Sequence, residues 1–122
     1  MFLKCLPQPK ESKCQVDFVK YARTYLRDKG HLLFAIPNGG TRNIKEAQQL
    51  KNQGVVSGVP DLILAIPRGV YHGLFIEMKR DSKCKLSDNQ AEMIELLKSQ
   101  GYAVEVCHGF SEAVEAFHKY MK

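Results

Sequence analysis

The sequence predicts an α/β fold with helices flanking a central sheet. Three observations carry that expectation. Stretches with helical spacing of apolar residues alternate with short apolar runs of strand length. Two of those runs, Asp61–Ile66 and Gly73–Lys79, are separated by the break Pro67-Arg-Gly69 and read as a hairpin. Both are apolar throughout rather than alternating, as in central strands covered on both faces. The element order read from these patterns is α-β-α-β-β-α-β-α.

Residues 1–10 read as a flexible tail, because Pro7 and Pro9 delay regular structure. A helix from about Glu11 to Lys29 follows, with the stripe Phe18, Val19, Ala22, Tyr25 and Leu26, and Gly30 as its stop. Gln15 and Glu11 continue that stripe backwards. Two readings stand for them: a capping box, Ser12-x-x-Gln15 with Glu11 solvated, or a carboxylate reaching a site. His31–Ile36 is a strand stopped by Pro37, and Asn38-Gly39-Gly40 is a tight turn or a loop of amides able to bind phosphate. The next helix, about Asn43 to Gln53, carries Ile44, Ala47 and Leu50 on one face and is flanked by Arg42, Lys45 and Lys51. These three cations are either a solvated face or contacts to a phosphate backbone. Val55–Pro60 is a linker. Ser87-x-x-Gln90 opens a helix to about Gln100, with Met93, Ile94 and Leu97 inward. Tyr102–Cys107 is the last strand. Ser111 caps a final helix built on Val114, Phe117 and Tyr120.

Asp61, Glu77 and Lys79 are charged residues in an apolar hairpin. A hairpin turning about Gly69 sets Asp61 opposite Glu77, with side chains on one face and Cα atoms about 5 Å apart. Glu77 and Lys79 share a face because strand side chains repeat every two residues. A slip of one residue would separate the carboxylates. Two close, partly buried carboxylates resist ionisation unless a cation neutralises them, and all-oxygen donors favour Mg²⁺ or Mn²⁺ over zinc. The plain alternative is a structural ion pair made with Lys79.

The string Pro60-Asp61…Glu77-Met78-Lys79 resembles the motif of the PD-(D/E)xK nuclease superfamily. Pro37-Asn-Gly-Gly40, Gly54–Leu62, Ile76–Lys79 and Ser87-Asp-Asn-Gln90 narrow the resemblance to the virus-type replication-repair nuclease (VRR-NUC) family, from about Glu11 to the C-terminus. It implies a restriction-endonuclease-like αβββαβ core with a mixed central sheet, as a single domain over 1–122. The implied activity is Mg²⁺-dependent hydrolysis of DNA phosphodiesters, with Mn²⁺ able to substitute. Asp61 and Glu77 would hold the metal with the Met78 carbonyl and Glu11. Lys79 would orient water or stabilise developing charge, and Gln90 would lie at the site. Asn38, Gly39, Gly40, Arg42, Lys45, Lys51 and the basic loop from Arg80 would meet DNA. Small stand-alone relatives are phage-like and thought to act as homodimers on branched DNA such as four-way junctions. A rival reading keeps the fold as a branched-DNA-binding module without cleavage, and a second makes the basic half a dock for an acidic protein.

The wider composition agrees with these expectations. A chain of 122 residues with 44% hydrophobic and 25% charged residues makes one soluble domain. The net charge is +5, concentrated in residues 1–60, where 10 Lys and Arg face 4 Asp and Glu. Such a half suits a polyanionic partner. Cys5, Cys14, Cys84 and Cys107 lack metal-site spacing and read as free thiols, Cys107 in the core. The four histidines form no close pair. No apolar run is long enough to span a membrane and the N-terminus does not read as a secretory signal, so an intracellular, cytoplasmic setting is expected.

Overall fold

The computed structural model describes residues 9–37 and 43–122, the side chains of 9–12 excepted. Its elements are α1 (Pro9–Leu26), a 3-10 segment (Arg27–Leu32), β1 (Leu33–Ala35), α2 (Ile44–Asn52), β2 (Leu62–Leu64), β3 (Leu74–Lys79), α3 (Asp88–Ser99), β4 (Ala103–His108) and α4 (Phe110–Met121). The strands form one sheet in the order β1-β2-β3-β4, the first two pairings antiparallel and the last parallel. This is the expected mixed αβββαβ core, with α2 and α4 added to it.

Alternation along β3 sorts the molecule into two layers. Leu74, Ile76 and Met78 join Phe18, Ala22 and Leu26 of α1 and Ala113 and Phe117 of α4 in the main core. The other face carries Phe75, which packs with Ile94 of α3 and Val104 of β4. Continuing that second row along the strand come Glu77 and Lys79. All six residues of β3 are buried, as continuous apolarity in a central strand requires. Two of the six are charged, so the α3 layer must satisfy them.

The hairpin register is the one that sets Asp61 opposite Glu77: Leu62 pairs with Ile76, Ile63 with Phe75 and Leu64 with Leu74. The turn itself is not symmetric. Arg68 and Tyr71 exchange both backbone hydrogen bonds, at 3.1 and 2.9 Å, so its centre lies between Gly69 and Val70. One extra residue between Leu64 and Arg68, a β-bulge on the first strand, restores the register. The Ile66 carbonyl in that stretch accepts a 2.6 Å hydrogen bond from the Tyr120 hydroxyl of α4.

Several boundaries differ from expectation for identifiable reasons. Pro9 opens α1 instead of delaying it, since proline is favoured in a helix's first turn. Ser12 therefore lies within the helix and not at its N-cap position. Helix α1 ends at Leu26, and the chain runs on as a 3-10 turn through Gly30. Gly109, at φ 103, caps α4 in place of Ser111, because the turn out of β4 demands a left-handed residue. Tyr25 is half exposed, its ring edge-on to Phe117 and His118. Phe117 is fully buried and so is a core residue, whereas Phe110 remains accessible. Helix α2 starts at the cap Asn43 as expected, but buries none of its residues. Cys107 is buried, and burial first, then Glu105 and Glu112, pushes its thiol up to about 12. Cys14 and Cys107 are free thiols.

The linker before β2 is held by α3. Gly58 has φ +92, and a Cβ there would lie 2.6 Å from the Asn89 carbonyl oxygen. Asn89 Nδ2 also donates to Ser57 Oγ at 3.1 Å. Gly58→Ala should therefore cost about 1–3 kcal/mol of folding stability through strain and overpacking. Urea unfolding checks this, and a variant as stable as the parent would show that the linker is free to move.

Candidate active site

The aspartate is positioned by the proline before it. Continuing the β2–β3 register places Pro60 opposite Met78, and proline has no N–H to extend the ladder. The Met78 N–H is instead taken by Asp61 Oδ2 at 2.9 Å. On its other side, the Asp61 carbonyl accepts from Ile36 N–H at 2.8 Å. Asp61 is thus tied to both neighbouring strands. A strand residue presents N–H and C=O to the same side, so the Met78 carbonyl also faces the Asp61 side, where Pro60 offers it no donor. Burial raises the Asp61 pKa, opposed by the Met78 hydrogen bond and then by the Lys79 charge.

One side chain of α3, Gln90, bridges Glu77 and Lys79. The Lys79 ammonium lies 3.5 Å from Glu77 Oε2, each side chain about 5% exposed. Lys79 Nζ donates to Gln90 Oε1 at 3.0 Å, and Gln90 Nε2 donates to Glu77 Oε2 at 2.9 Å. Only this amide orientation gives the cation an acceptor and the carboxylate a donor. Gln90 Oε1 also accepts from Ser87 N–H at 2.9 Å, while Ser87 Oγ accepts from Gln90 N–H at 3.2 Å. The capping box that starts α3 therefore also fixes the amide between the two buried charges. The helix-start reading of Ser87-x-x-Gln90 holds, and the same glutamine touches Glu77 and Lys79.

The remaining expected residues are distributed as follows. Arg80 directly follows Lys79, with Nε 3.5 Å from Asp81 Oδ2. Lys45 and Lys51 are exposed on α2. Asn38, Gly39, Gly40 and Arg42 lie outside the described residues, and so does the Glu11 side chain. Helix α1, which carries Glu11, packs on the sheet face opposite the one bearing Glu77 and Lys79. Among the described residues no three His, Cys, Asp or Glu side chains come together as a metal cluster.

One residue of this neighbourhood was missed in the sequence. The parallel register pairs Lys79 with His108, as it pairs Glu77 with Val106. Val104 and Val106 lie on the α3 face, so alternation sets His108 on that face beside Lys79. Its Nδ1 is 3.4 Å from Glu112 Oε1. The only available hint was a histidine closing the last strand with a glutamate four residues on.

A mixed sheet with an aspartate opposite an E-x-K strand defines the class, a nuclease-type α/β fold of the PD-(D/E)xK kind. The family model for the VRR-NUC domain matches residues 3–111, and the chain belongs to that family, as its motifs implied. A solved structure described as a VRR_NUC domain protein is 29% identical, with TM-score 0.77, over 91% of this chain and 87% of that one. A second, described as a VRR_NUC domain, shares the fold at TM-score 0.62 and 24% identity, over 93% of this chain and 99% of that one. No curated protein matches the chain.

Proposed function

We propose that the protein is a Mg²⁺-dependent DNA endonuclease that hydrolyses phosphodiester bonds in branched DNA such as four-way junctions, acting as a homodimer. The observation that carries this reading is the part-buried Glu77–Lys79–Gln90 network beside Asp61 in a member of a nuclease-type family. A purely structural ion pair needs neither a second carboxylate held opposite it nor an amide locked between its charges.

The donors fit a hard divalent cation. Asp61 and Glu77 offer carboxylate oxygens and Met78 a carbonyl, and burial makes the Asp61 anion costly without a neighbouring cation. These three would hold Mg²⁺ or Mn²⁺, with Glu11 as a further carboxylate. When bound, the metal supplies Lewis-acid charge at the scissile phosphate and an activated water. Lys79 orients that water and stabilises negative charge as it develops on the phosphate. Gln90 keeps Lys79 and Glu77 at fixed separation, so neither side chain has to reorganise during reaction. Asn38, Gly39, Gly40 and Arg42, with Lys45 and Lys51 on exposed α2 and Arg80 after the site, contact the DNA backbone. Symmetric junctions need two matched cuts, and a two-fold dimer supplies two matched sites. No described helix is long and apolar enough to cross a membrane. The reading places the enzyme inside a cell, including a phage-infected bacterial one.

Labelled forks, flaps, four-way junctions and plain duplexes incubated with and without Mg²⁺ test the proposal. The expected result is Mg²⁺-dependent cleavage of branched substrates in symmetry-related pairs. Sedimentation should give about twice the 13.8 kDa chain mass. Tight junction binding with no cleavage in Mg²⁺ or Mn²⁺ would establish a binding module instead.

A further inference from the structure

We propose that His108, held by Glu112, is a DNA-phosphate ligand of this site, a role that rests on the nuclease reading above. His108 ends β4 in register with Lys79, one strand spacing (about 4.8 Å) away and on the same face. It differs from Lys79 in access. The Lys79 side chain is 5% exposed and engaged with Glu77, whereas the His108 side chain is 26% exposed at the rim. A group at the rim meets the substrate backbone beside the scissile phosphate, rather than the reacting atoms.

The ring is oriented as a ligand is. Glu112 Oε1 accepts the His108 backbone N–H at 2.8 Å and lies 3.4 Å from Nδ1 of the same residue. One carboxylate thereby fixes both the main chain and the ring. With Nδ1–H directed to Glu112, Nε2 is the nitrogen left for a partner. Doubly protonated, the ring donates through Nδ1 to Glu112 and through Nε2 to a phosphate oxygen, a charge-assisted contact. Glu112 is a positioning residue, since it reaches DNA only through His108.

DNA affinity read against salt, without divalent cations so that binding is separate from cleavage, tests this on a labelled duplex. Relative to wild type, His108→Ala should weaken binding several-fold for every sequence. It should also lower the slope of log K against log salt by about one, the signature of one lost phosphate contact. His108→Arg, which keeps a donor, should retain the slope. Glu112→Gln should weaken binding in the wild-type background but add nothing in His108→Ala. Glutamine keeps an oxygen to accept the His108 backbone N–H, so the change reports on the ring contact and not on the cap. Unchanged affinity and slope in His108→Ala, or equal effects of Glu112→Gln on binding in the two backgrounds, overturns the assignment and leaves the nuclease reading intact. Absence of salt-dependent DNA binding by the wild-type protein defeats both.

Discussion

Replacing Lys79 with methionine is expected to lower the cleavage rate by about 10²–10³-fold while leaving DNA affinity nearly unchanged. Methionine keeps most of the stem volume and removes only the charge and its donors. The structure adds a second effect to this one. Glu77 and Lys79 are both buried, 3.5 Å apart, and removing one partner of such a pair leaves a charge uncompensated. The single variant should therefore also lose about 3–5 kcal/mol of stability, so slow turnover alone would not separate chemistry from folding. The double variant Lys79→Met with Glu77→Gln does so only for stability, because Glu77 is itself assigned to the metal. Its stability should return towards wild type while its activity stays lost. The decisive measurement is the single-turnover rate of Lys79→Met at a temperature where circular dichroism shows it folded. A rate equal to wild type under that condition makes Lys79 a structural partner of Glu77.

The parts of this site legible in the sequence were those set by period and opposition. Strand alternation alone puts Glu77 and Lys79 on one face, and a turn placed at Gly69 sets Asp61 opposite Glu77. The register was legible although the turn was not. The turn centre is displaced and a bulge before Arg68 compensates, and nothing in Ala65-Ile-Pro67 signals that compensation locally. Within it the Ile66 carbonyl accepts from the hydroxyl of Tyr120, a residue at the far end of the chain. Similarly, Gly30 reads as a helix stop, yet its role is close approach. A Cβ there would sit 3.3 Å from Arg23 Cβ, while the Arg23 guanidinium donates to the Leu33 carbonyl at 2.9 Å.

Gln90 marks the limit of motif reasoning from the opposite direction. A serine three residues before a glutamine fully explains a helix start, so the pattern gives no reason to look further. What extends it is tertiary. Helix α3 begins where the row Phe75, Glu77, Lys79 turns from apolar to charged, and the capping glutamine is the polar group that meets those charges. His108 shows the same dependence on distance in the chain. Its neighbour Lys79 lies across a parallel crossover, which leaves no short-range pattern to read.

Asp61→Asn is expected to abolish metal-dependent cleavage while leaving the metal-free protein at least as stable as wild type at neutral pH. Asparagine keeps an oxygen to accept the Met78 N–H, so the link between β2 and β3 survives. The gain comes from the charge. Burial raises the Asp61 pKa above its ordinary value of 3.8, so the folded protein holds this proton more tightly than the unfolded chain does. Ionisation at neutral pH therefore costs folding stability. That cost is absent below the unfolded value, grows as pH rises towards the folded value, and is constant above it. The stability advantage of Asp61→Asn in EDTA should shrink as pH falls towards 3.8. Adding Mg²⁺ reverses the ranking. A ligand at about 100 times its Kd stabilises the native state by about 2.7 kcal/mol, a gain the variant should largely lose. Thermal unfolding with and without Mg²⁺ measures both arms on one instrument. Equal Mg²⁺-induced stabilisation of wild type and Asp61→Asn, or Mg²⁺-dependent cleavage retained in the variant, would falsify Asp61 as a metal ligand.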